Sequence, residues 1–212
     1  MLIGQLFANA PLYAILDTAV RPDLPPETVL EALLRAGVRV IQYRHKGRFH
    51  RSHFEQCASL ARRTREMGGV FVVNDRADVA ELCGADGVHL GQEDLLPENA
   101  RRFLGPGRLI GYSTHNLDQA RRAAGMPVDY IAIGPVFSTT TKRDPDPVVG
   151  LTIVSQVRAL TNKPLVAIGG ITMGNAPSVL AAGADAVAVV RDVLAAPDIE
   201  QRAREFLKEL RS

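Results

Sequence analysis

The chain has 212 residues, 46% of them hydrophobic and 23% charged, with 25 Lys and Arg against 23 Asp and Glu and a net charge of +2. That length suits one domain, spanning residues 1–212, with a sizeable core. The basic residues are scattered among acidic ones and form no long block, which excludes the electrostatic footprint of a nucleic-acid-binding protein. No apolar run reaches the ~18 residues of a membrane span, and the apolar start of the chain lacks the basic region of a secretory signal. The expected location is therefore the cytoplasm. Cys57 and Cys83 lie far apart without CxxC spacing, so neither a disulfide framework nor a zinc site is expected.

Short apolar segments alternate with helical patterns along the whole chain. Residues 11–17 (PLYAILD) read as the first strand; Pro25-Pro26-Glu27 opens a helix and Gly37 closes it. The second strand is 38–44 (VRVIQYR), followed by a helix over 51–68. The third is 70–75 (VFVVND), with its helix at 77–83. The fourth is 87–91 (GVHLG), then a helix at 97–104. The fifth is 109–114 (LIGYST), then a helix at 116–124. The sixth is 129–134 (DYIAIG), and a long loop leads to a helix over 150–160. The seventh is 164–169 (PLVAIG), then 175–182 as helix. The eighth is 186–190, and 199–210 the last helix. Near-continuously apolar strands in such a series imply a covered parallel sheet, and eight units closing on themselves predict a (β/α)8 TIM barrel. A doubly wound open sheet is the alternative, but it normally carries a Gly-rich turn after its first strand, and Asp17-Thr18-Ala19 is none. The Gly84-Ala85-Asp86 and Gly183-Ala184-Asp185 repeats read as helix-to-strand turns.

Active sites of such barrels sit at the C-terminal ends of the strands, and polar residues gather there. The second strand runs out through Gln42-Tyr43-Arg44-His45-Lys46, where alternation puts Gln42, Arg44 and Lys46 on one face. The third ends Asn74-Asp75-Arg76, and the fourth is followed by Gly91-Gln92-Glu93-Asp94. Either aspartate alone reads as a helix cap; together, beside a cationic strand end, Asp75 and Asp94 suit Mg2+ completed by substrate phosphates. Ser113-Thr114-His115 ends the fifth strand. Thr139, Thr140 and Thr141 before Lys142 place hydroxyls and an ammonium in the loop after the sixth, a combination that suits phosphate oxygens. Gly169-Gly170 and the Val190-Arg191 backbone lie after the seventh and eighth strands, the usual barrel phosphate site. His50 and His53 are spaced to share a metal but read more readily as solvated, and His89 as a barrel-interior residue. The loop over 137–149, with Pro145 and Pro147 and little apolar surface near Lys142, is expected to close over a phosphorylated ligand. The chemistry implied is neutralisation and positioning of phosphates, with little acid–base work.

These residues carry a resemblance. Gln42-Tyr43-Arg44-His45-Lys46, Asn74-Asp75-Arg76, the Asp86-to-Asp94 run DGVHLGQED, Gly111-Tyr112-Ser113-Thr114-His115, the Gly134-to-Lys142 run GPVFSTTTK and the Val166-to-Ile171 run VAIGGI are together similar to the motifs of the thiamine-phosphate synthase family, in order along almost the whole chain. The resemblance implies an Mg2+-dependent transferase. It would join 4-amino-2-methyl-5-hydroxymethylpyrimidine diphosphate to 4-methyl-5-(2-phosphooxyethyl)thiazole, giving thiamine phosphate and diphosphate. It assigns Mg2+ to Asp75 and Asp94, and the diphosphate to Arg44, Lys46, Asn74 and Lys142. Gln42 and Ser113 take the pyrimidine and the departing group. Thr139 and Thr141, with the Gly170 and Val190–Arg191 backbone, take the thiazole phosphate. Lys142, Ser113 and Arg44 are the residues expected at the reacting bond. Where family members often carry Ser, this chain has Arg191, whose guanidinium could replace a lost hydroxyl contact. Two alternatives stay open: a thiazole tautomerase, which needs no diphosphate site, and a non-catalytic relative that binds thiamine precursors. Assembly into a homo-oligomer is also open.

Overall fold

A computed structural model of the chain describes residues 3–141 and 146–211. Eight parallel strands close into a barrel in chain order: β1 (Leu12–Asp17), β2 (Val40–Arg44), β3 (Val70–Asn74), β4 (Gly87–Leu90), β5 (Leu109–Thr114), β6 (Tyr130–Ile133), β7 (Leu165–Ile168) and β8 (Ala186–Val189). Closure is made by β1, which pairs with β2 through Tyr13↔Val40 and with β8 through Tyr13↔Ala188. The outer helices are α2 (Pro26–Ala36), α3 (Arg51–Glu66), α4 (Ala77–Leu82), α5 (Pro97–Leu104), α6 (Leu117–Ala124), α7 (Gly150–Leu160), α8 (Ala176–Ala181), α9 (Arg191–Leu194) and α10 (Ile199–Glu209), preceded by α1 (Ile3–Asn9). The (β/α)8 expectation holds. Among the described residues no helix is long and apolar enough to cross a membrane.

Local chemistry explains the boundaries. Pro25 and Pro26 pre-set the start of α2, and Gly37 ends it at φ +102°, a conformation open chiefly to glycine. Asn116 and Asp198 cap α6 and α10 by accepting the Gln119 and Gln201 N–H groups at 2.9 Å each. The turn aspartates do more than end a helix. Asp86, Asp129 and Asp185 accept the N–H of Phe71, Ile110 and Leu165 at 2.8, 2.7 and 2.7 Å. Each carboxylate thus fastens the start of one strand to the start of the next. Arg101 and Arg158 neutralise Asp129 and Asp185 at 2.6 and 2.8 Å.

The strand pleat divides the core in two. Outward residues such as Ile41, Phe71, Val88, Ile110 and Ile131 pack under the helices. Inward residues Tyr13, Ile15, Val40, Val72, Tyr130, Ala132, Val166, Ala186 and Ala188 fill the barrel. Helix α1, which the sequence reading did not anticipate, belongs to that inner cluster through Ile3, Leu6 and Phe7. Seven residues are too few to show helical periodicity or to be helical alone; the helix is held by insertion of Phe7, whose ring lies 6.2 Å from those of both Tyr13 and Tyr130.

A polar chain crosses this apolar interior. Gln42 Nε2 donates to Tyr13 Oη at 2.9 Å, the Tyr13 and Tyr130 hydroxyls meet at 2.9 Å, and Tyr130 Oη lies 3.0 Å from His89 Nδ1. Gly111 makes room for it: a Cβ there would lie 2.0 Å from Tyr130 Cζ. Gly111→Ala must therefore displace a fully buried ring, and we expect a loss of about 1–3 kcal/mol in urea denaturation. Burial also pushes the His89 pKa down to about 4. The unfolded imidazole titrates near 6.5, so below that pH the unfolded chain takes up the proton first. The His89 contribution is complete above about pH 6.5 and is lost as pH falls towards 4, by about 3 kcal/mol. Stability measured across that window should fall less steeply in His89→Gln.

Candidate active site

The C-terminal strand ends bring most of the motif residues together. At the end of β1, Asp17 is only 3% exposed and pairs with Arg44 of β2. Two residues further on, Lys46 Nζ donates to Asp75 Oδ2 at 2.6 Å. Arg44 and Lys46 thus point to the same end of the barrel, as alternation requires, but they engage different carboxylates.

Asp75 has φ +64°, a left-handed conformation that is unfavourable for a residue with a Cβ. The strain is held by its N–H, which donates to His89 O at 2.8 Å across the β3–β4 ladder. Beside it, Asp94 Oδ2 accepts the Gly91 N–H at 2.7 Å. Burial raises the Asp94 pKa, and the neighbouring Asp75 carboxylate raises it further. A carboxylate whose ionisation is opposed by burial and by a second carboxylate beside it makes a place for a cation. Among the described residues no group of three or more His, Cys, Asp and Glu could hold a metal. Asp75 and Asp94 could hold a divalent cation only as a pair of oxygen ligands completed by water and phosphate oxygens. Next to the pair, Asn74 Nδ2 is buried and has no hydrogen-bond partner among the described residues. Such an orphaned donor in a site is ready for an anionic acceptor.

The histidines separate clearly. His53 Nδ1 accepts the His50 N–H at 3.0 Å in a reciprocal cap of α3, and the His45 ring stacks on His53 at 4.0 Å. His45 Nδ1 bonds Thr18 Oγ1 at 2.9 Å. These rings shape a helix start. His89 lies inside the barrel, as its mid-strand place suggests, and its Nε2 reaches Ser113 Oγ at 2.8 Å. The Ser113 carbonyl accepts from Gln92 Nε2 at 2.6 Å. Gln42, 3% exposed, shares the interior through Tyr13. His115 Nδ1 donates to Gly134 O at 2.7 Å, with Asp146 Oδ2 at 3.5 Å.

The loop after β6 runs along the end of β7: Val136 and Phe137 N–H donate to Ile168 O and Gly169 O at 2.9 and 3.0 Å. Its far side is fastened by Val149 N–H to Pro135 O at 2.8 Å. Thr139 Oγ1 accepts the Thr141 N–H at 3.3 Å. Lys142 lies outside the described residues, as does the centre of the expected lid. Gly169-Gly170 suits a close approach of phosphate to the backbone, and the structure adds a second demand. Both have positive φ, and a Cβ on Gly170 would lie 2.4 Å from Ser138 O. The pair is thus also the surface on which the β6 loop docks. Val190 precedes α9, and Arg191, its first residue, is exposed.

Sequence reasoning passed over three residues. Asp17 ended the first predicted strand on the inward face, which was the available signal. Tyr13 and Tyr130 fall inside predicted strands, and only the meeting of their hydroxyls in the structure sets them apart.

The chain matches the family model described as thiamine monophosphate synthase over residues 12–193. It is 47% identical over 205 residues to a thiamine-phosphate synthase of Koribacter versatilis, covering 95% of this chain and 96% of that relative. It is 41% identical over 198 residues to one of Lawsonia intracellularis, covering 93% and 91%. Among solved structures, the thiamine phosphate pyrophosphorylase of Pyrococcus furiosus superposes with a TM-score of 0.88 at 34% identity, covering 97% of this chain and 98% of that one. With matches of this identity along nearly its full length, the chain belongs to the thiamine monophosphate synthase family.

Proposed function

We propose that the chain is an Mg2+-dependent transferase that joins 4-amino-2-methyl-5-hydroxymethylpyrimidine diphosphate to 4-methyl-5-(2-phosphooxyethyl)thiazole, forming thiamine phosphate and diphosphate. The observation that carries this reading is the β3–β4 end, where Asp75 in a left-handed conformation meets Asp94 beside the orphaned Asn74 amide and Lys46. Family membership supplies the substrates.

In this reading the pyrimidine methylene–oxygen bond breaks, and its electron pair leaves with the diphosphate. The thiazole nitrogen lone pair then forms the new carbon–nitrogen bond. No proton is abstracted, so the site needs electrostatic stabilisation of a departing anion rather than a base. Bound Mg2+, held by Asp75 and Asp94, supplies charge neutralisation to the diphosphate. Lys46 exchanges its Asp75 contact for phosphate oxygens, and the Asn74 amide donates to the same group. Arg44, anchored by buried Asp17, presents its remaining guanidinium hydrogens. Ser113 donates towards the departing oxygen, while Gln42 at the barrel interior meets the pyrimidine. Lys142 takes the diphosphate on the strength of the motif alone. Thr139, Thr141 and the backbone at Gly170 and Val190–Arg191 take the thiazole phosphate.

Asp94→Asn should retain the thermal midpoint of the parent and lose at least about 100-fold in thiamine phosphate formation, as the loss of a metal-holding charge implies. Full parental activity in excess chelator after metal removal would overturn the metal assignment. Lys46 is 55% exposed, so its removal leaves no buried charge, whereas Arg44→Ala would strand Asp17. Lys46→Ala is therefore the cleaner probe. Its KM for the pyrimidine diphosphate should rise roughly 10-fold or more, from loss of a charge-assisted bond, with KM for the thiazole phosphate within about twofold. Equal rises for both substrates would contradict the assignment.

A further inference from the structure

The chain of side chains across the barrel has a direction. Each hydroxyl has one hydrogen to donate, so the sense chosen at one end is imposed along the rest. Gln42 Nε2 can only donate, and it does so to Tyr13 Oη at 2.9 Å. The Tyr13 hydrogen is then directed to Tyr130 Oη, 2.9 Å away, and the Tyr130 hydrogen to His89 Nδ1 at 3.0 Å. With Nδ1 accepting, a neutral His89 carries its proton on Nε2 and donates it to Ser113 Oγ at 2.8 Å. The Ser113 hydroxyl, having accepted, keeps its own hydrogen for a group in the mouth. Residues from β1, β2, β4, β5 and β6 take part, so the chain runs across the interior from one side of the barrel wall to the other.

The surroundings hold this arrangement rigid. Tyr13 and Tyr130 are 1% and 0% exposed, and Phe7 of α1 packs against both rings. Gly111 is occupied, in effect, by the Tyr130 ring, which stacks on His89 at 5.6 Å between centroids. An apolar residue at 130 would fill the space equally well, so packing alone does not account for a hydroxyl meeting another hydroxyl inside the inner core.

We propose that Tyr130, linked through Tyr13 to Gln42 and through His89 to Ser113, is a positioning residue that holds the Ser113 hydroxyl as a hydrogen-bond donor to the departing diphosphate. The proposal rests on the transferase reading given above. A donor fixed before reaction stabilises the charge that develops on the leaving oxygen, so its effect falls on turnover more than on substrate binding.

The test is a double-mutant cycle with Tyr130→Phe and Ser113→Ala in the full-length protein with both substrates and Mg2+. Tyr130→Phe should keep the fold by circular dichroism and lower kcat by roughly tenfold or more, the weight of one hydrogen bond to a charged group, with both KM values within about twofold. Added to Ser113→Ala, it should cost little more, because it acts through that hydroxyl. Unchanged kcat in Tyr130→Phe, or additive losses, would overturn the proposal. If Tyr130→Phe fails to fold, Tyr13→Phe, one link further away, must show the same non-additivity. A second readout is independent of substrate: the 15N spectrum of His89 should show one neutral tautomer with hydrogen on Nε2 in the parent and a mixture in Tyr130→Phe. Hydrogen on Nδ1 in the parent would overturn the relay. A parent that makes no thiamine phosphate refutes the transferase reading, while the 15N result still decides the relay.

Discussion

Closure of the parallel sheet is the constraint on which the molecule depends. Once β1 pairs with β8 as well as β2, every alternate side chain is committed to one shared interior that must be filled. At the N-terminal end that demand is met by apolar residues and by Phe7 of α1. Towards the C-terminal end the same inward positions carry Asp17, Gln42, Arg44, Asn74, His89 and Ser113. The inward face is thus apolar below and polar above, and the division is a consequence of which pleat position each residue occupies.

That polar upper face is partly neutralised from within. Asp17 answers Arg44 and Lys46 answers Asp75, so the cations are held near the mouth by carboxylates. Asp94 is left beside Asp75 with its ionisation opposed by burial and by its neighbour. A fold that concentrates carboxylates and cations at one rim, with Asp75 in a costly backbone conformation, is organised for a ligand of mixed charge needs. A diphosphate with its divalent cation is such a ligand. Membership of the thiamine monophosphate synthase family fits a phosphorylated ligand.

The loops after β6 and β7 show how one residue type answers two needs. Gly169 and Gly170 adopt positive φ and also accept the β6 loop against the space where a side chain would be. A substitution there would disturb the part of the rim proposed to take the thiazole phosphate, through the docking of Thr139 and its neighbours, and leave the carboxylate pair at the ends of β3 and β4 in place.

Most of the architecture was legible in the linear chain. Strand apolarity and proline and glycine punctuation are local signals, and they located elements such as residues 97–104 and 109–114 with the bounds the structure has. Inward alternation on the second strand put Arg44 and Gln42 on one face, and the motif order placed Asp75 and Asp94 at neighbouring strand ends. What the chain alone did not decide was every property that depends on distance across the barrel. Tyr13 and Tyr130 are 117 positions apart, and nothing local says that their hydroxyls meet. The pairing of Asp17 with Arg44, the insertion of α1 and the docking of the β6 loop on Gly170 arise the same way. Periodicity reports which face a residue takes, because that is set by the backbone's own geometry. Which residue it then faces is set by strand register and barrel closure, and those exist only once the whole sheet has formed.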